Sequence, residues 1–101
     1  MSAQEITTIG RFNAREGCDA ELEMALRRCW GPTRDEPGCV SIQWYRSIRD
    51  PRLFFVVSRW ADEAAFEVHA ELPHTVRFIE EAEALMDHAL DVSRLKPLTF
   101  E

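Results

Sequence analysis

This sequence predicts an α+β domain whose elements run β-α-β-β-α-β, and three observations within residues 36–74 predict it. Val40, Ile42 and Trp44 alternate with Ser41, Gln43 and Tyr45, the period of a strand with two unlike faces. Asp50-Pro51 marks a turn, because proline presets φ and aspartate bonds its own backbone. Residues 53–57 then form an unbroken apolar run rich in aromatic and β-branched side chains, the composition of a strand buried on both faces. Trp60 closes that strand. Asp62 follows where a helix N-cap belongs, with Glu63 adding negative charge to the first turn. Strand, turn, strand and helix follow one another without slack. With a strand and helix before them and a strand after them, they complete the ferredoxin-like order, a four-stranded antiparallel sheet with helices on one face.

The remaining elements follow in order. Residues 6–12 alternate loosely and form the first strand, with Ile6, Thr8, Gly10 and Phe12 on one face and Thr7, Ile9 and Arg11 on the other. A glycine inside a strand marks a bulge or a close approach to the backbone, and Gly10 holds that place. Gly17 turns the chain into a helix over residues 19–30, where Cys18, Leu22, Ala25, Leu26 and Cys29 recur at helical spacing as one apolar stripe. Gly31-Pro32 is expected to end that helix, leaving residues 33–38 as a polar loop. Asn13 is a turn residue at the end of the first strand. A short helix covers residues 63–70, and Pro73 stops or restarts it. A longer helix covers residues 75–86, with Phe78, Ala82 and Leu85 stacked and Ile79 and Met86 beside them. Residues 90–95 read as the last strand.

At 101 residues, the chain is expected to form a single domain over residues 1–101. Apolar content of 46% with 30% charged residues argues for a folded globule, and a net charge of −6 argues against a nucleic-acid partner. No apolar run approaches the roughly 20 residues of a membrane span. The N-terminus lacks a basic-then-apolar leader, so a cytoplasmic protein is the reading. Three cysteines without CxxC spacing argue against a disulfide scaffold or a zinc site. On a shared helix, Cys18 and Cys29 stand about 16 Å apart, too far to bridge. The double-sided apolar third strand leaves one sheet face uncovered in a monomer, so a two-fold homodimer with sheets face to face is expected, with Trp44 packing in that interface.

No glycine-rich nucleotide motif, HExxH pair or nucleophile elbow occurs. His69 and His74 are five apart with Pro73 between them, a poor spacing for metal ligands, and His88 has no evident partner, so no metal is expected. What remains is a pocket. Val56, Ser58 and Trp60 share one face of the third strand, and Phe66, His69 and Ala70 share one face of the short helix. Where these faces meet, Trp60, Phe66 and His69 converge as two aromatic walls and one titratable ring. A histidine, with an ordinary pKa of about 6.5, takes a phenolic proton near neutrality. Each residue also has a plainer role. His69 suits a helix C-terminus, His74 a cap or the surface, and Trp60 the core, while Tyr45 and Arg11 reach either a pocket mouth or solvent.

Pro37-Gly38-Cys39, Tyr45-Arg46, Asp50-Pro51, residues 59–66 (RWADEAAF), His69 and Pro73-His74 together resemble the antibiotic biosynthesis monooxygenase (ABM) domain family over nearly the whole chain. The resemblance implies a dimeric ferredoxin-like fold. It also implies a site tryptophan at Trp60. The asparagine and tyrosine that accompany it in oxygenases of polycyclic phenols fall at Val56 and Phe66. The haem-degrading branch shares the Trp60, Ala65, Phe66 pattern, but its asparagine, tryptophan and haem-ligating histidine fall at Gly10, His69 and about Ile79. Small quinol-oxidising members, with histidines matching His69 and His74, are the branch this chain looks most like.

The expected function is therefore cofactor-independent monooxygenation of a small aromatic quinol or phenol by O₂, with no added cofactor. His69 and Trp60 are the catalytic candidates, and Phe66, Val56, His74 and Tyr45 the substrate-binding ones. The alternatives are a non-catalytic dimeric module that binds an apolar metabolite, and an acid–base isomerase using His69 and His74.

Overall fold

Strand pairing sets the two strands richest in candidate site residues against each other. The structure, a computed structural model, describes residues 4–100. The central strand β1 (Ile6–Asn13) runs antiparallel to β3 (Leu53–Trp60), in register from Ile6↔Trp60 to Asn13↔Leu53. Its other edge pairs with β4 (Asp91–Leu95), from Thr7↔Leu95 to Arg11↔Asp91. The strand β2 (Cys39–Arg46) joins the far edge of β3 as a hairpin, with an irregularity between Cys39 and Ser41. The sheet order is β2-β3-β1-β4, all antiparallel, which is the ferredoxin-like topology the sequence predicts.

Three helices complete the fold: α1 (Asp19–Arg34), α2 (Glu63–Glu71) and α3 (Pro73–Leu85). Leu22, Ala25, Leu26 and Cys29 of α1 meet Phe78 and Ala82 of α3 over Phe12 and Phe54 of the sheet. These are the stripes expected from helical spacing, and Met86 closes the end of the cluster. Pro73 restarts the chain as the first residue of α3, where its missing N–H costs nothing. Asp62 caps α2 by accepting the Ala65 N–H at 2.8 Å. At Gly10 the close neighbour is the Phe12 ring, whose edge would lie 3.0 Å from an added Cβ.

Two expectations are corrected. Gly31-Pro32 does not end α1, which runs on to Arg34 with Pro32 inside it. The turn is held beyond the proline by the Asp35 N–H, which donates to the Gly31 carbonyl at 3.1 Å, and by burial of Thr33 against Cys29, 3.4 Å from hydroxyl to sulfur. Trp44 does not lie on the uncovered face. It stands on the helix side, edge-on to Phe78 with ring centroids 6.3 Å apart. Period two then turns Tyr45 to the opposite face, where it pairs across the strands with Phe55 and is 53% exposed.

On that opposite face Ile9, Phe55 and Val57 are half-buried, and at its rim Leu95 is exposed. The three cysteines are free thiols, Cys29 buried and Cys18 and Cys39 partly so. No helix among the described residues is long and apolar enough to cross a membrane.

Candidate active site

The site grows from the last turns of β3. Its period of two sends Val56, Ser58 and Trp60 toward the helices, opposite Gly10, Thr8 and Ile6 of β1. Ser58 and Thr8 are buried, and their hydroxyls share a 2.8 Å hydrogen bond. The Trp60 indole is 1% exposed, and its Nε1–H donates to both hydroxyls at 3.2 Å. Pairing a buried indole N–H in this way avoids a desolvation cost and fixes the ring plane.

α2 supplies the opposing wall. Phe66 and His69 are three residues apart and share a face. The Trp60 and His69 ring centroids are 4.6 Å apart with 36° between planes, and Phe66 is 5.6 Å from each. Val56, Trp60, Phe66 and His69 all line one cavity of about 320 Å³ between sheet and helices. Of the remaining sequence candidates, His74 sits behind His69, with ring centroids 6.1 Å apart, and is not a lining residue. Tyr45 and Arg11 lie away from this cavity. Tyr45 instead borders a separate groove with Trp30 and Arg46.

Sequence reasoning missed Glu36. It lies in the short loop after α1, and its side chain is only 8% exposed. Its Oε2 sits 2.7 Å from His69 Nδ1 and 2.7 Å from His74 Nε2. An ionised carboxylate only accepts, so both ring nitrogens carry the hydrogens of these bonds. The Thr75 hydroxyl lies 3.2 Å from the same His69 nitrogen. His69 is thereby held by Nδ1, and its Nε2 has no protein partner among the described residues. The restart at Pro73 folds His74 back toward His69, so a spacing that reads poorly along the chain brings Glu36, His69 and His74 ligand atoms within 4.8 Å of one another. The pairing of Pro37 and Gly38 just after Glu36 was the one available signal, because such a turn lets a loop lie tightly on its neighbour.

Arg94 was also missed. Its guanidinium lies 5.0 Å from the Phe66 ring centroid, at the cavity wall, and pairs with Glu63 at 2.9 Å. Nearby, burial pushes the Cys29 and Cys39 thiols above their ordinary range, and the Glu36 charge adds to both shifts. Chemically, the cavity offers a mainly apolar and aromatic lining, one imidazole whose Nε2 has no protein partner among the described residues, and a few hydroxyls and one guanidinium at its wall.

A family model described as antibiotic biosynthesis monooxygenase matches residues 5–81, which hold β1 to the greater part of α3 and every one of these side chains except Arg94. The chain belongs to the antibiotic biosynthesis monooxygenase family. The ABM fold is equally clear in solved structures. PA3566 from Pseudomonas aeruginosa superposes with a TM-score of 0.89 at 30% identity, covering 98% of this chain and 99% of that one. SnoaB, a cofactor-independent oxygenase from Streptomyces nogalater, shares the ABM fold with a TM-score of 0.84 at 21% identity, covering 97% of each chain. Among curated relatives, YcnE of Bacillus subtilis is 29% identical over 62 residues, 61% of this chain. The matched segment spans 65% of YcnE and 44% of a second, uncharacterized relative from Synechocystis.

Proposed function

We propose that this ABM protein is a cofactor-independent monooxygenase acting on a small aromatic quinol or phenol, with His69 as its base. One observation carries the reading: His69 is stacked on Trp60 at the cavity wall while Glu36 holds its Nδ1–H, so a lone pair on Nε2 is available to a bound hydroxyl. A cavity of about 320 Å³ is at the small end for ligand sites, which run roughly 300–1,000 Å³, and suits one or two fused rings. The aromatic rings of Trp44, Phe66 and Phe78 in its lining favour an apolar, aromatic substrate.

The chemistry needs little from the protein. The substrate hydroxyl gives its proton to His69 Nε2. The phenolate passes one electron to O₂, leaving a ring radical and superoxide, which join through a new C–O bond. The peroxide takes the proton back from His69, and the hydroperoxide loses water together with the hydrogen of the attacked ring carbon, so one oxygen atom stays as a quinone carbonyl and the other departs as H₂O. The substrate itself is the reductant, and no further electron donor enters. Glu36 keeps the imidazole in the right tautomer and faces the positive charge it gains. Arg94 at the wall favours the phenolate. The half-buried apolar face of Ile9, Phe55 and Val57 supports a two-fold homodimer closed sheet to sheet.

The test is oxygen uptake with a panel of benzene and naphthalene quinols, with no added flavin, metal or nicotinamide and after subtracting autoxidation. Uptake with quinone formation is expected, reduced by about 10²–10⁴-fold in His69→Ala. No uptake across the panel, an unchanged rate in His69→Ala, or equal turnover under nitrogen would overturn the proposal.

A further inference from the structure

We infer that Glu36, His69 and His74 form a binding site for a divalent cation of the zinc class. Two imidazoles and one carboxylate are the donor set of many open zinc sites, which hold the metal by three side chains and keep a fourth position for water or ligand. Their ligand atoms already lie within 4.8 Å of one another, on three separate segments: the loop after α1, α2 and α3. The carboxylate is the decisive feature. Its side chain is 8% exposed, and its partners among the described residues are the two histidines, with no lysine or arginine. A buried negative charge is usually paired with a cation or a metal. Here it is met by two ring N–H groups converging on one oxygen at 2.7 Å each.

Each ring has a second nitrogen to which its proton can move. A neutral His69 can carry hydrogen on Nε2 and a neutral His74 on Nδ1, which frees both inward nitrogens as ligands. A tetrahedral ion about 2.0–2.1 Å from its donors sets them about 3.3 Å apart. The carboxylate oxygen then draws back by about half an ångström from each nitrogen, and the two ring nitrogens, which lie within 4.8 Å, close on one another around the ion. Zinc fits this donor set better than magnesium or calcium, which take oxygen ligands.

The site has a consequence for turnover, which rests on the reading of His69 as the base. With metal on Nδ1, the proton sits on Nε2 and the imidazole cannot accept one from substrate. Zn²⁺ would then inhibit quinol oxidation. Binding itself does not depend on that reading.

The test is titration of the purified, metal-stripped protein with Zn²⁺ by calorimetry, with Co²⁺ as an optical probe. One Zn²⁺ per chain is expected, with a raised Tm and the intense visible absorption of tetrahedral Co²⁺. Glu36→Gln and His74→Ala should each weaken binding by more than about tenfold, at least the loss typical of disturbing a metal's supporting residues. His88→Ala, which alters the exposed His88–Asp87 pair, should leave it unchanged. No Zn²⁺ uptake, only the weak absorption of octahedral Co²⁺, or equal affinity in the Glu36 and His74 variants would overturn the inference. The Co²⁺ spectrum of the unaltered chain decides even where a variant fails to fold. Metal binding without oxygenase activity would leave this site standing and remove only the quinol reading.

Discussion

Gly38 and Ala65 meet so closely that a Cβ added to Gly38 would lie 2.4 Å from the Cβ of Ala65. The obstacle cannot swing aside, since it is the Cβ of a helical residue whose Cα is 3.5 Å away. The glycine lets the loop lie flat on α2, and just before that helix the Ala61 N–H donates to the Gly38 carbonyl at 2.9 Å. Two residues earlier, Glu36 reaches His69. Gly38→Ala should lift the loop from α2, cost about 1–3 kcal/mol of stability as overpacking does, and part Glu36 from His69. Urea denaturation reads the first effect. Loss of a hydrogen-bonded imidazole N–H signal in proton NMR reads the second. A variant as stable as the parent, with that signal intact, would show that the loop slides at no cost.

Glu36→Gln tests the carboxylate without changing its size. The amide oxygen can still accept both ring N–H groups, as Oε2 does now, but it is neutral, so both hydrogen bonds lose their charge assistance. The expected loss is about 1 kcal/mol per bond, the difference between a hydrogen bond to a charged acceptor and one to a neutral acceptor. Because the amide leaves the imidazolium of His69 without a facing charge, kcat for quinol oxidation should fall while KM holds. A fall in KM and kcat together, or a change in stability alone, would mark Glu36 as structural.

Much of this site was legible because it is built from short periods. Trp60 follows from period two on β3, and Phe66 and His69 follow from a three-residue step on α2 started by Asp62, all within ten residues. Glu36 was illegible for the opposite reason. It lies 33 residues from His69, and a glutamate in a polar loop looks like any solvated charge until the fold turns it inward. Alternation in β2 separated Trp44 from Tyr45 correctly but could not say which face is covered. That depends on Phe78, more than thirty residues later. The Gly31-Pro32 stop failed because a local breaker was outweighed by tertiary burial of Thr33.

Trp60 can be divided into ring and N–H. Trp60→Phe keeps an aromatic ring beside His69 and removes the donor together with part of the ring volume. The Thr8 and Ser58 hydroxyls already bond each other at 2.8 Å, so neither is stranded. The loss should be modest, about 0.5–1.5 kcal/mol for the net hydrogen bond plus some for the smaller ring. Trp60→Ala should cost about 3–5 kcal/mol, as deletions of buried aromatic side chains do. Chemical denaturation of both variants checks the ordering. Equal losses would mean that the buried N–H, not the packed ring, is what the site requires.

Alkaline pH should weaken the fold through two thiols. Burial raises Cys29 and Cys39 above the ordinary 9.0, with the Glu36 charge adding to both. A group whose folded pKa is raised holds its proton longer in the native state than in the unfolded chain. Its contribution is fully present below pH 9.0 and is lost as pH climbs through the raised folded value. Tm measured across that window should therefore fall, and Cys29→Ala should flatten the fall by removing the more buried of the two groups. The same shift predicts that iodoacetamide labels Cys29 more slowly than a free thiol at pH 8, because the thiolate is the reactive form. Rapid labelling of Cys29 in the folded protein, followed by peptide mass mapping, would show that the α1–α3 packing opens far more readily than its burial implies.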